Sequence, residues 1–529
     1  MKNRGWIVLL LSVVVYGANF WGTSIYILDE AKNSGCAMEM LQRGDWVVPT
    51  FNSELRTDKP PLHYFFMKVA YQLFGINPFS ARLFSVISGV LLVFLIYSFL
   101  KRNFNEPIAF IAAILLISSL QLAIQFHLAV PDPYLILFLT ASILFFYEGY
   151  VLNSKFKLSF FYLSVSLAFI SKGLIALAFP GMIVLLFLLA RKEFTIGVIK
   201  KLNLPVGFLI FLLIGVPWYA VVGIQTNGVW LQGFFLEHNV SRFTSTMEGH
   251  KGFFLAPFVI LILGTLPFSF AVFPAIRFSW RNRIGNPFIL LCLIAVMVIP
   301  GFFSFSRTLL PSYPAPAIPF LAILLSFYWN EQFIKATRIN WKVLVPLFVY
   351  LLITLAIPIG VYIAMVAEFK SYHFQNLAFY FVLLPAGAIA ALILVKNRRK
   401  QLLPVLSGSW IITVLIFFYV CFPQIDKINP VTQSLPLLAN HKIAYYGDFN
   451  PAYVMALHAT VKQLETKQEL VEFLKTEGRV ITQQKYLDEI EPLDFRILFI
   501  QKDIFENPIT VIIEKKLSPR GLNCSALFK

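Results

Sequence analysis

Charge is scarce in this chain. Charged residues make up 13% of its 529 positions, against about 25% in a soluble globular protein. Hydrophobic residues reach 58% and fall in long uninterrupted blocks, which excludes a soluble fold. The chain has 4 cysteines, Cys36, Cys292, Cys421 and Cys524, and none stands in a Cys-x-x-Cys or metal-ligand spacing. No disulfide framework or thiolate metal centre is therefore implied; Cys36 and Cys524 could meet outside the membrane, but unpaired thiols are expected. No Gly-rich phosphate loop and no Asp-x-Asp pair occurs, so a nucleotide-sugar substrate has nothing to hold it. No Asp or Glu falls at the middle of an apolar block. A charge there costs about 2.5–3.5 kcal/mol on the insertion scale, so ion-coupled transport finds no support. The net charge of +17 invites a nucleic-acid partner. That reading fails because the basic residues sit in short loops between apolar blocks, where they set topology.

What remains is a series of segments near the ~20 apolar residues that cross a bilayer. Thirteen are present: 6–28, 83–100, 107–125, 133–147, 158–171, 173–190, 204–224, 253–276, 287–305, 312–329, 342–366, 376–395 and 402–421. The first is too long for a signal peptide and lacks a small-x-small cleavage site, so it reads as a membrane helix. Basic residues concentrate in every second loop: Lys2/Arg4, Lys101/Arg102, Lys155/Lys157, Arg191/Lys192, Arg277/Arg281, Lys335/Arg338 and Lys396/Arg398. With the N-terminus in the cytoplasm this alternation persists along the chain. The expected fold is an all-α polytopic membrane protein of about 13 transmembrane helices. Residues 1–421 form the membrane domain, with outer loops 29–82 and 225–252. From 422 to 529 charge and β-branched residues rise. Lys442–Tyr446 and Arg479–Thr482 read as strands and Val461–Lys475 as an amphipathic helix, a small external α/β domain.

On this topology Asp29, Asp45, Asp58 and Asp132 all lie at the outer face. The first outer loop is the densest in charge, with Asp29-Glu30, Gly44-Asp45-Trp46 and Asp58-Lys59-Pro60-Pro61. Segment 30–43 has helical spacing with Ala37, Met38 and Leu41 on one side, as a helix lying along the interface would. Gly44 ends it, and Lys59-Pro60-Pro61 opens a second short helix. An acidic pair near the membrane followed by a fixed lysine suits transfer from a lipid phosphate. The carboxylate can serve an acceptor as base, and the lysine can neutralise the departing phosphate. The bland alternatives are solvated helix-capping charges for Asp29 and Glu30 and a lysine that snorkels to headgroups.

The order Asp-Glu, Gly-Asp-Trp, acidic-Lys-Pro resembles the first loop of the GT-C membrane glycosyltransferases that include protein O-mannosyltransferases and the lipid A aminoarabinose transferase. Further along, Pro131-Asp132-Pro133, Ser171-Lys172-Gly173, Glu237-His238-Asn239, Arg242-Phe243, His250, and Arg307 with Leu310-Pro311-Ser312-Tyr313 resemble later motifs of that family. The resemblance covers most of residues 1–330. It implies an external active site in a bacterial inner membrane, facing the periplasm, and a polyprenyl-phosphate sugar as donor. It also implies inverting transfer to lipid A, a glycan or a protein. By resemblance Asp29 is the catalytic carboxylate and Asp132 orients acceptor or sugar. Lys59, Arg307 and Tyr313 bind donor phosphate, with Glu30, Asp58 and Arg242 in support. Asp58 and His250 stand where some relatives hold a divalent metal. Two features depart from the family pattern. Lys32-Asn33 replaces an Arg-aromatic pair, and His63 follows the prolines where an apolar or aromatic residue is common. The rival reading is a flippase or transporter of lipid-linked sugars. It would not need these acidic and basic pairs at fixed places, and it would show internal repeats, of which none is evident. A non-catalytic scaffold for envelope assembly is a third reading, which the acidic outer loop disfavours.

Overall fold

A computed structural model describes residues 4–241, 253–335, 341–369, 373–490, 493–504 and 506–516. Twelve of the thirteen apolar segments are helical over most of their length; the first, 6–28, leaves the helix after Tyr16. Among the described residues eight helices are long and apolar enough to cross a membrane, and Glu106–Ile117 with Leu120–Phe126 forms a ninth, bent by 65°. The remainder are shorter or interrupted. Gly5–Tyr16 and Ile175–Ala190 are short apolar helices. Segment 253–276 divides into Ala256–Gly264, a turn at Pro267 and Val272–Asn282. Segments 158–171 and 173–190 are separate helices, parted at Gly173, whose φ of +73° suits a residue without a Cβ.

The elements that build the site come early. Helix α1 (Gly5–Tyr16) leads to α2 (Leu28–Gln42), a two-residue hairpin β1–β2 (Thr50–Phe51, Glu54–Leu55) and α3 (Leu62–Phe74). Helix α4 (Pro78–Asn103) starts at an Asn77 cap that accepts from the Ser80 amide, with proline in the first turn. Next come α5 (Glu106–Ile117), α6 (Leu120–Phe126), α7 (Asp132–Val151) and α8 (Lys155–Lys172). Helices α7 and α8 pack as an antiparallel pair, so the start of α7 and the end of α8 meet at one end.

Helix α2 stops as expected at Gly44, whose φ is +68°. The Gly44 amide donates to the Leu41 carbonyl and the Asp45 amide to Met40, both at 3.0 Å, the double bond of a Schellman cap. Its environment differs from the expected interface helix. Ala31, Ser34, Cys36, Met38 and Met40 are all buried, because α3 covers one side and the C-terminal domain the other. Its second face was invisible because the residues that cover it lie some 420 positions later, around Val454.

The C-terminal domain contains a five-stranded mixed sheet of order β4-β3-β5-β7-β6. The strands are β3 (Ile443–Tyr446), β4 (Lys462–Leu464), β5 (Arg479–Gln483), β6 (Phe495–Lys502) and β7 (Ile509–Lys515). Strand β3 runs parallel to both neighbours, with Ala444 opposite Lys462 and Val480. The expected helix Val461–Lys475 is divided: 462–464 is strand, and the helix is Lys467–Lys475. Thr466 caps it by accepting from the Glu469 amide, and Glu469 reaches back to the Glu465 amide. That cap fixes the start and leaves the preceding residues to pair with β3. The domain is tied to the first loop at Asn52. Its side chain accepts from the Val461 amide at 2.7 Å and donates to the Val461 carbonyl at 3.0 Å.

Candidate active site

Asp29 lies in the first turn of α2, where the helix dipole favours a carboxylate. Lys59 Nζ is 3.5 Å from its Oδ1 and Arg56 Nη2 3.8 Å. The Asp29 side chain keeps 45% of its surface accessible, against 11% for Lys59 and 6% for Arg56. It is the open member of the group, although protein surrounds it as it would a residue lining a recess. That enclosure alone would push the Asp29 carboxyl up. Lys59, then Arg56 and Lys172, outweigh it and hold the group at about 2.

Asp58 faces Arg56 through both oxygens, at 2.7 Å to Nε and 3.0 Å to Nη2. Burial raises its carboxyl, and Arg56 and Lys59 more than compensate, so it stays ionised. Arg56 also donates to Asn33 Oδ1 at 2.9 Å, which fixes the guanidinium between α2 and the strand-like segment before α3. A later loop closes on this segment. Trp230 Nε1 donates to the Arg56 carbonyl at 2.8 Å, and Gly233 approaches Thr57 so closely that a Cβ there would lie 2.7 Å from its Oγ1.

The second cluster joins the two ends of the α7–α8 pair. Lys172 Nζ lies 2.5 Å from Asp132 Oδ1 and 5.7 Å from the ring centre of Tyr313. Tyr313 in turn stacks on Phe303 at 4.6 Å. Lys172 also helps to lower the Asp29 carboxyl, so the Lys172–Asp132 pair lies within electrostatic reach of Asp29.

Other predicted residues have different positions. Glu30, Asp29's neighbour in sequence, is fully buried and points away. Arg82 grips it at 2.7 Å and 2.8 Å, and it accepts the Ala129 amide at 2.9 Å. Arg82 spends its remaining donors on Phe20, Thr23 and Ser24. Glu30 is thus a brace between α1, α4 and the approach to α7. Asp45 builds a turn, accepting the amides of Val47 and Val48, while Lys68 lies 3.8 Å over the Trp46 ring. Arg307 is exposed, with no ion pair among the described residues. Arg242 and His250 lie outside the described residues.

His63, the departure from the family pattern, is buried against the Tyr64 ring at 3.9 Å. Burial, Arg56 and Lys59 all push its imidazole down, to about 3, so it is neutral. Burial lifts the Cys36 thiol to about 12, which makes it inert. The described residues do not fit a metal. None forms a group of three His, Cys, Asp or Glu able to hold one, and both Asp58 oxygens already face a guanidinium.

Two residues escaped the main expectation from sequence. Lys172 stands in a Ser-Lys-Gly motif that carries no assigned role, and Arg56 belongs to no motif. The signal for Arg56 is its place two residues before Asp58 in an extended stretch, which puts both side chains on one side.

With this geometry in view, comparison with known proteins is informative. Residues 58–220 match the family model of dolichyl-phosphate-mannose-protein mannosyltransferases. The chain is 30% identical over 325 residues to the undecaprenyl phosphate-alpha-4-amino-4-deoxy-L-arabinose arabinosyl transferase of Yersinia enterocolitica, covering 59% of this chain and 57% of that one. It is 29% identical over 337 residues to an uncharacterised protein of Aquifex aeolicus, covering 63% and 75%. The chain spans about six tenths of the length of the curated transferases it matches. In fold it is similar to the crystal structure of ArnT from Cupriavidus metallidurans bound to undecaprenyl phosphate, with a TM-score of 0.80, 21% identity and coverage of 97% and 98%. The resemblance read from the loop motifs therefore holds, as does the expected many-helix membrane fold with strands near its C-terminus.

Proposed function

We propose that this protein is an inverting glycosyltransferase that moves a sugar from a polyprenyl-phosphate donor to an anionic acceptor at the outer membrane face. The observation that carries the reading is Asp29, open between Lys59 and Arg56 with the Lys172–Asp132 pair beside it. Two lysines next to an ionised carboxylate suit a reaction in which a phosphate departs as positive charge builds on a sugar ring. Lys59 and Lys172 neutralise the departing phosphate, and Tyr313 lies beside Lys172. Asp29 faces the sugar and stabilises its oxocarbenium-like charge.

The same electrostatics support an anionic acceptor. A carboxylate held at about 2 is a weak base, ill suited to take a proton from a hydroxyl. A phosphate monoester needs no such help, because its second ionisation lies near pH ~6. One of its oxygens forms the bond to the anomeric carbon, the bond from that carbon to the donor phosphate breaks, and polyprenyl phosphate leaves with the electron pair. A phosphorylated lipid of the lipid A class therefore fits better than a glycan or protein hydroxyl. We place no step on a metal, since Arg56 occupies the position beside Asp58 that a cation would take. The basic loops orient the site towards the periplasm of a bacterial inner membrane. No residue pattern favours a flippase over this reading.

The test is turnover by the purified protein of a panel of polyprenyl-phosphate sugars with phosphorylated-lipid and hydroxyl acceptors, alongside Lys59→Ala. One donor consumed with the phosphorylated acceptor, and not by Lys59→Ala, supports the proposal. A folded protein that binds no donor overturns it.

A further inference from the structure

The end of the molecule opposite the site carries a second feature. Helix α4 leaves the first loop and its 26 residues carry the chain ~39 Å, one membrane thickness away. There the Arg4 amide donates to Glu106 at the start of α5. Between α1, α5 and the helix Leu402–Ile416 runs a groove of about 650 Å³. Its walls are apolar, with Leu11, Phe110, Ile114, Leu403 and Ile411 among them. Two cations stand at its mouth. Arg4 lies over the Phe110 ring at 5.0 Å, and Lys400 is exposed. Ser407, the one other polar side chain among the described lining residues, already donates to the Leu403 carbonyl at 2.7 Å. The groove therefore asks for an occupant with an anionic head and a tail that makes no hydrogen bonds.

Its depth selects among such molecules. From Arg4 to Leu11 is ~10 Å of helix and from Lys400 to Ile412 ~18 Å. That span matches half of a ~30 Å hydrocarbon core, the reach of an acyl chain confined to one leaflet. A polyprenyl chain long enough to serve the distant site would run past it. We infer that this groove binds an anionic glycerophospholipid from the leaflet opposite the active site, its phosphate held by Arg4 and Lys400 and one acyl chain laid against Gly408. The lipid would join α1, which leads into the Asp29 loop, to the helix that precedes the C-terminal domain. This binding does not depend on the proposed transfer reaction.

Lys and Arg near an anionic surface are each worth about 1 kcal/mol, or about fivefold. Two cations should therefore favour phosphatidylglycerol over phosphatidylcholine by about 30-fold. The experiment is native mass spectrometry of the full-length protein in detergent, titrated with each lipid. Wild type should show the preference. Arg4→Gln with Lys400→Gln should abolish it while leaving weak binding of both lipids. Gly408→Phe should block both, because a Cβ at Gly408 meets open space and the ring can fill the groove without disturbing the fold. Equal binding of the two lipids by wild type overturns the inference, as does full phosphatidylglycerol binding by Gly408→Phe. Displacement of phosphatidylglycerol by equimolar polyprenyl phosphate would also overturn it, by naming a different occupant.

Discussion

Asp29 and Glu30 are adjacent in sequence and opposite in environment, so replacing them should have separable effects. Glu30 and Arg82 are 0% and 4% exposed at the side chain and bound through two contacts of 2.7 and 2.8 Å. Removing one member of such a buried pair costs about 3–5 kcal/mol, because the other is left charged and unpaired. Glu30→Ala also strips the Ala129 amide of its acceptor, and a buried donor left unmade costs about 1–3 kcal/mol more. Against a total stability of about 5–15 kcal/mol this loss is large. Asp29 is 45% exposed and sits between two cations, so Asp29→Asn relieves no packing and leaves no cavity. Thermal unfolding of the detergent-solubilised variants, followed by fluorescence size-exclusion, should show Glu30→Ala melting far below wild type. Glu30→Gln should fall between, since it keeps the shape and an acceptor but not the charge. Asp29→Asn should melt only slightly below wild type, since its ion pairs are 45% exposed at the carboxylate, and yet transfer no sugar. If Glu30→Ala keeps the wild-type transition and loses turnover as Asp29→Asn does, Glu30 belongs to the chemistry and the brace assignment is wrong.

Further outcomes follow from the same geometry. Asp29 is depressed to about 2 in the folded protein, against about 3.9 unfolded. Its contribution to stability is therefore complete above pH ~4 and lost as pH falls towards 2, and no acid limb of the rate profile above pH ~4 should belong to it. Arg56→Met should raise that carboxyl by about 1–3 units, visible as a new acid limb; an unchanged profile would contradict the charge balance drawn here. Lys172→Met leaves Asp132 without its 2.5 Å partner and should lower kcat by about 10²-fold or more, whereas an effect confined to the acceptor KM would move Lys172 out of the donor site. Treatment with EDTA should leave turnover unchanged because both oxygens of Asp58 face the Arg56 guanidinium. Loss of turnover restored by a divalent ion would show that a metal enters through residues beyond those described.

The membrane fold was legible because its signal is local. Each apolar block needs only its own composition to become a helix, as Pro287–Ser304 and Phe374–Leu394 illustrate. Where the outcome depended on partners far along the chain, the sequence was silent. Segment 461–464 carries no strand signal stronger than the helical pattern that follows. It becomes β4 because β3 offers an edge at Ala444–Tyr446. Burial of α2 likewise depends on the helix Ala452–Leu457, which no spacing within 30–43 could announce.

The site was legible to the extent that motifs mark charge, and illegible where charge had to be sorted by direction. Asp29, Lys59, Asp132 and Tyr313 were named from sequence; Lys59 lies against Asp29, and Asp132 and Tyr313 lie beside Lys172. Glu30 carried the same motif signal as Asp29, yet one residue further along the helix turns a side chain by about 100°, out of the recess and into the grip of Arg82. Asn33 and Arg56 complete the argument. Read singly, each is an unexplained departure or an unremarked charge. In the structure they bond to one another and the guanidinium holds Asp58 and faces Asp29. A buried arginine of this kind is maintained only by a matched acceptor, so Asn33 and Arg56 function as a pair. Together they supply a fixed positive charge beside Asp29, second to Lys59 in holding it ionised.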